Sequence, residues 1–371
     1  MVSKGHETTD TATGNPEAPS SSVMAAKQAT HTTPTMGETK PSCLPLVRKH
    51  LDNIGMSDTA RDIIMASWRK TTSKQYHTYL TRWEQYCSEN SIDPLRATIQ
   101  HGIEFLTHLY QKGLGYSAIN TARSALSIVI DVPSGTFGSQ SLVTRFMKGI
   151  FEMKPSLPRY KFMWDAGIVL KHIQSMSPNS GLSLKSLTLK LTMLLCLLTG
   201  QRCQTITKLD TQYMQSLPNK YVFTINEILK TSKPGRHIAP IELMSYEPDE
   251  RLCVVSLIRL YLQKTQDIRK EHTKLMISYT KPHHSVCSST IGKWAKSIMK
   301  EAGIDTAQFS AHSGRSAAVS YGKSAGLPLQ DILRAGGWSN AQTFARFYDK
   351  PLPNNFGSSI LEHYSNHNGT T

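Results

Sequence analysis

No stretch of this sequence is apolar for long enough to cross a bilayer. The most apolar one, residues 187–198, is interrupted by Lys190 and reads as a buried helix. Near the start no apolar run follows basic residues, so neither a secretory signal nor a membrane partner is expected. Cysteine is sparse: Cys43, Cys87, Cys196, Cys203, Cys253 and Cys287 show no repeated spacing, which fits free thiols in a reducing compartment rather than a disulfide framework. His283, His284 and Cys287 cluster but lack a fourth ligand at zinc spacing, so they read as a loop before a helix, and no metal or other cofactor is expected. Acid is short as well, with 27 Asp and Glu against 42 Lys and Arg, a net charge of +15 and a pI near 9.5. That balance suits a polyanionic partner, although a solvated basic surface would carry the same excess.

What is present organises into segments. With 371 residues, 39% of them hydrophobic, the chain can bury two domains of ordinary size. Residues 1–42, rich in Thr, Ser, Pro and Gly, are expected to be a disordered tail. Residues 43–152 read as helical. One or two short helices are expected before residue 66. Over 67–90 the residues Trp68, Tyr76, Tyr79, Leu80, Trp83, Tyr86 and Cys87 recur at three- and four-residue steps, which predicts a helix whose outer face carries Arg69, Lys70, Lys74 and Arg82. A second is expected over 99–112, and a third, capped by Ser117, sets Ala122 and Leu126 against Asn120 and Arg123. Prolines and cations mark 153–161 as a linker, with Lys154, Arg159 and Lys161 as candidate phosphate contacts beside Arg69, Lys74 and Arg123.

The second half, residues 162–353, predicts helices over about 165–174, 184–198 and 249–263, and another after residue 287 with Ile291, Trp294, Ile298 and Met299 on one face. Between them Tyr221, Phe223 and Ile225, then Ile238 and Ile241, alternate with polar residues around Lys230, Lys233 and Arg236. This predicts a β-hairpin with a basic tip and Lys230 at the strand edge. Residues 354–371 form a second tail.

Residues 309–352 concentrate the chemistry. His312 and Arg315 are three apart, on one helix face, where each can hold an oxygen of one phosphate. A Gly336-Gly337-Trp338 turn follows, then a helix capped by Ser339 or Asn340 that carries Thr343, Phe344 and Phe347 inward and presents Tyr348. A phenol, with a pKa near 10, needs positive charge around the phosphorus it attacks.

With Thr199-Gly200-Gln201-Arg202 upstream, this constellation resembles the tyrosine recombinase (phage integrase) family over roughly residues 67–352. The resemblance implies a mainly α fold with a small β-hairpin or sheet: a helical N-terminal core-binding domain, then an α+β tyrosine-recombinase catalytic domain. It implies Arg202, Lys230, His312, Arg315 and Trp338 around the nucleophile Tyr348, with Lys230, or else Lys233, as general acid. Trp338 would donate its indole N–H and wall off the site. The implied product is a 3′-phosphotyrosine with a free 5′-hydroxyl, formed on double-stranded DNA by a homo-tetramer without metal or ATP. The Gly-Gly-Trp-Ser wording looks most like recombinases of eukaryotic DIRS and Crypton-type mobile elements, which would place the protein in the nucleus; otherwise the cytoplasm is expected. One departure stands out: Thr205 occupies a position that is usually acidic. It keeps open a DNA-binding protein that lost strand exchange; the other alternative is a type IB topoisomerase-like nicking enzyme, which shares the Arg, Lys and Tyr chemistry but needs no synapsis.

Overall fold

The computed structural model describes residues 44–155, 160–230, 232–235, 238–338 and 341–350. Both tails and the cations Arg159 and Arg236 lie outside the described residues, as do the Ser339 and Asn340 caps and the side chains of Thr343 and Phe347. The chain divides into two compact units, Met1–Leu157 and Pro158–Thr371. Among the described residues no helix is long and apolar enough to cross a membrane.

The first unit is all helical: α1 (Pro45–Asn53), α2 (Asp58–Ala66), α3 (Lys70–Glu89), α4 (Ile99–Gln111), α5 (Tyr116–Leu126) and α6 (Ser141–Met153). Its centre is the aromatic stripe of α3. Trp83 is fully buried, meets Phe105 of α4 edge-on at 5.3 Å, and donates its indole N–H to the Pro94 carbonyl at 3.2 Å. Burying a side chain of that size contributes about 2–3 kcal/mol, so the stripe packs a core while Arg69, Lys70, Lys74 and Arg82 stay exposed. The expected Ser117 cap is corrected: Gly115 holds the N-cap of α5, and Ser117 lies inside the first turn. Helix α6 has no counterpart in the sequence expectation; Val143, Met147 and Ile150 bury its inner face. The linker cations differ, since Lys154 donates to the Gly113 carbonyl at 2.9 Å whereas Lys161 is exposed.

The second unit contains α7 (Ala166–Ser175), α8 (Leu184–Thr199), α9 (Cys203–Ile206), β1 (Met214–Leu217), β2 (Lys220–Phe223), β3 (Ile241–Met244), α10 (Val254–Thr265), α11 (Ser288–Glu301), α12 (Ser313–Ser324), α13 (Leu329–Gly336) and α14 (Ala341–Phe347). Helix α8 is buried nearly all round, with α10, α11 and α12 packed against it. Its one buried charge, Lys190, is satisfied inside: Nζ donates to the Met176 carbonyl at 2.8 Å and to Asn179 at 2.9 Å, and burial pushes its pKa down to about 8. Gly200, at φ +56°, ends the helix in the left-handed conformation that only glycine adopts without strain.

The sheet is antiparallel in the order β1-β2-β3, with Phe223 opposite Met214 and Ile241. Two expectations are corrected. The paired strands are shorter than the alternation suggested, leaving Ile225 and Ile238 in an irregular connection, and Lys230 sits in that connection rather than at a strand edge. The last helix before α11 also starts later than expected, at Val254, because Asp249 caps a separate short turn.

Candidate active site

Two glycine turns and one arginine build the site. The first turn is Gly200, leading from buried α8 to Arg202 at the N-cap of α9. The second closes α13: Gly337 has φ +67°, and the amides of Gly337 and Trp338 return to the carbonyls of Arg334 (3.0 Å) and Leu333 (2.9 Å). That double closure turns the chain sharply and folds the indole back over Gly336. A Cβ on Gly336 would stand 1.7 Å from Cζ3 of Trp338, so the indole has its place only because residue 336 has no side chain.

Arg315 lies between these turns on α12, only 3% exposed. Its Nη1 donates to the Gly200 carbonyl at 2.9 Å and its Nη2 to the Gly336 carbonyl at 2.8 Å. Its Cζ sits 3.7 Å from the Trp338 ring centroid and 5.1 Å from that of Tyr348. Burial and the charge of Arg202 push the guanidinium pKa down to about 10, against the pull of Tyr348, so it remains a cation at neutral pH. Beside the phosphate contact expected of it, Arg315 has a structural task. Two of its N–H groups hold backbone carbonyls, while its Nε has no protein partner.

His312 immediately precedes α12, its ring 6.2 Å from that of Tyr348. Burial first, then Arg315, Arg202 and Lys230, hold its pKa below the ordinary histidine value. The same influence puts Lys230 within electrostatic reach of the imidazole. Trp338 meets Tyr348 edge-on at 4.8 Å and Phe344 at 5.4 Å. Its Nε1 is buried without a partner, so the ring packs as a wall under Arg315 and does not open its N–H to solvent.

Helix α14 is tied to α12 by two contacts. Ser320 Oγ donates to the Tyr348 carbonyl at 3.4 Å, and Lys323 pairs with Asp349 at 2.7 Å. These hold Tyr348 against its own chain's Arg315. At the other end of α12, Trp164 Nε1 donates to Ser313 Oγ at 2.9 Å, and Ser313 in turn donates to the Ser310 carbonyl at 2.6 Å.

A cavity of 580 Å³ opens beside this assembly, lined by Arg202, Thr205, Leu229, Arg334 and Trp338 among others. Thr205, at the position expected to be acidic, is buried there. Gln201, which sequence reasoning passed over, adds a third tie between the two turns: its Nε2 donates to the Ala335 carbonyl at 2.6 Å. Its only sequence signal is its place between Gly200 and Arg202. Lys233 is exposed, beyond Lys230 in the connection. The His283 and His284 rings each lie with Nδ1 against a backbone carbonyl, of Ser278 at 2.9 Å and of Pro282 at 2.6 Å.

A half-buried phenol facing a buried guanidinium and an imidazole, with Arg202 and Lys230 near enough to act on these groups, suits chemistry on a phosphodiester. Residues 169–353 match the model of the phage integrase family, and this part of the chain is a phage integrase family domain. Among solved structures the chain is similar to the XerH site-specific recombinase bound to palindromic difH substrate in a post-cleavage complex. The two are 17% identical, with 86% of this chain and 88% of that one covered and a TM-score of 0.54. It is similar as well to the Tn1549 transposon integrase in complex with transposon right end DNA, at 14% identity, 89% and 100% coverage and a TM-score of 0.54. Both likenesses are of fold. No curated protein sequence matches the chain.

Proposed function

We propose that the protein is a site-specific DNA recombinase that cuts and rejoins double-stranded DNA through a 3′-phosphotyrosine at Tyr348. The observation that carries this reading is the placement of Tyr348 against Arg315 and His312, its ring 5.1 Å from the guanidinium carbon and 6.2 Å from the imidazole, in a site that Arg202 and Lys230 also charge. A cation beside the phenol favours its anionic form as the oxygen approaches phosphorus. Arg202 and His312 hold non-bridging oxygens, and the buried charge of Arg315 offsets the negative charge that develops at phosphorus. Lys230 gives a proton to the departing 5′-oxygen. The ester conserves bond energy, so a 5′-hydroxyl from another strand reverses the step. Arg69, Lys74, Arg123, Lys161 and Lys233 are proposed phosphate contacts, with Lys154 weaker because it already serves Gly113. The working form is a homo-tetramer on DNA, and the lineage is that of DIRS and Crypton-type elements.

A nicked duplex of the element's own flanking DNA, which loses the 5′ fragment once cut, tests the reading. The intact protein accumulates as a covalent adduct, while Tyr348→Phe binds with similar affinity and yields none. Tight binding without adduct by the intact protein would replace the enzyme with a DNA-binding module.

A further inference from the structure

Among its described residues the connection of residues 224–240 contains no strand, and it carries Lys230, yet its first limb is held firmly. Ile225 and Leu229 are buried in the core of the unit. Between them the Glu227 carboxylate is gripped by two ammonium groups, Lys208 just beyond α9 and Lys274 at 2.5 Å. Lys274 Nζ also lies 3.1 Å from Oδ2 of Asp210, a carboxylate 5% exposed that accepts from the Gln212 amide at 3.0 Å and from Thr273 Oγ1 at 3.1 Å. Beneath these side chains the backbone is cross-tied, Thr211 N–H to the Thr273 carbonyl at 2.9 Å and Leu275 N–H to the Leu209 carbonyl at 2.8 Å.

Glu227 is thus fastened to a ridge continuous with α9, the helix that Arg202 begins. A single exposed ion pair would contribute little. Here alternating charges form a network on a hydrogen-bonded backbone, and such an arrangement fixes position more than it adds stability. Past Glu227, Ile228 is 79% exposed, but Leu229 returns to the core and its amide donates to Ser232 Oγ at 2.9 Å, while the Ser232 amide donates to the Leu229 carbonyl at 3.0 Å. The backbone is thus tied on both sides of Lys230, whose side chain is exposed.

We propose that Glu227 is a positioning residue for Lys230, setting where the lysine ammonium meets the 5′-oxygen of the scissile phosphodiester. The inference rests on the reading of Lys230 as proton donor. In that step the Tyr348 oxygen bonds to phosphorus, the bond from phosphorus to the 5′-oxygen breaks, and a Lys230 proton passes to that oxygen. Glu227 neither gains nor loses a bond.

The test uses the full chain and two nicked duplexes, one ordinary and one with sulfur at the 5′-bridging position, whose thiolate leaves without a proton. Glu227→Ala is expected to slow cleavage of the ordinary duplex on the order of 10- to 100-fold and to cleave the sulfur duplex near the parent rate. Glu227→Gln, which keeps the shape and loses the charge, is expected to show the same pattern more weakly, and it carries the test if the alanine variant does not fold. Lys230→Ala separates the two ideas. If it slows both duplexes alike, or neither, Lys230 is not the donor and the positioning role falls with it. If sulfur rescues Lys230→Ala but the Glu227 variants slow both duplexes alike, or neither, Lys230 keeps its role and the inference about Glu227 is overturned.

Discussion

The Arg315 guanidinium lies 3.7 Å from the Trp338 ring centroid, stacked on an indole that itself has room only above a bare glycine. The cation is held by its surroundings on one face and by the Gly200 and Gly336 carbonyls in its plane.

Arg315→Lys should therefore cost stability as well as activity. An ammonium cannot span both carbonyls, and a buried carbonyl left without its donor costs about 1–3 kcal/mol. The expected result is a loss of roughly 2–4 kcal/mol in urea unfolding together with loss of the covalent adduct. An unchanged unfolding midpoint would mean that the twin hydrogen bonds hold nothing together.

Two neighbouring glycines should respond differently to alanine. At Gly336 the new methyl meets the indole and must displace it, an overpacking cost of about 1–3 kcal/mol that also removes the wall under Arg315. At Gly337 the nearest atom is Gln201 Nε2 at 3.8 Å, so only left-handed strain remains, about 1–2 kcal/mol. Adduct formation should survive Gly337→Ala and fail in Gly336→Ala; equal yields would show that the indole's position does not matter.

His312 makes stability depend on pH. Its folded pKa is depressed, so just below the ordinary value of 6.5 the unfolded chain binds more protons than the folded one. Stability from this group rises as pH climbs through that window; the penalty is absent above it and complete below the folded value. His312→Gln should gain on the parent in urea midpoint at about pH 5 relative to about pH 7.5. A gap independent of pH would show that the imidazole feels no such field.

Cys287 should be the reactive thiol of the second unit. It is exposed at the start of α11, where the Ser289 hydroxyl at 3.0 Å, then the hydroxyl and amide of Thr290, push its pKa down to about 6. In a Cys43→Ser background, iodoacetamide should modify it with a rate midpoint near that value, and Ser289→Ala should raise the midpoint. A midpoint in the ordinary thiol range would remove the role assigned to the two hydroxyls.

Much of this was legible in the sequence, and the reasons are local. Helix α3 follows from its aromatic period, α8 from its apolar run and the Gly200 stop, and the order of site residues from motifs. Helix α6 has a clear amphipathic period in Val143, Met147 and Ile150 but no start signal, since Gln140 at its N-cap makes no side-chain hydrogen bond. Strand β1 was illegible because it is an edge with no buried alternation. The work of Arg315 and Gln201 could not be read at all. Their acceptors are main-chain carbonyls, which every residue has, and for Arg315 one lies 115 positions away. Glu227 was hidden in the same way, its lysines being ordinary surface types until the fold gathers them.

The two carbonyls that hold Arg315 come from chain on either side of it, one from residue 200 and one from residue 336. During synthesis the chain emerges from its N-terminal end. Helix α12 then leaves the ribosome with its central cation half satisfied, and it stays so until the Gly-Gly-Trp turn follows. A nascent or prematurely stopped chain can fold α8 and the sheet and still lack both the second clamp on Arg315 and Tyr348. An unfinished copy would then lack the tyrosine on which the proposed cleavage depends.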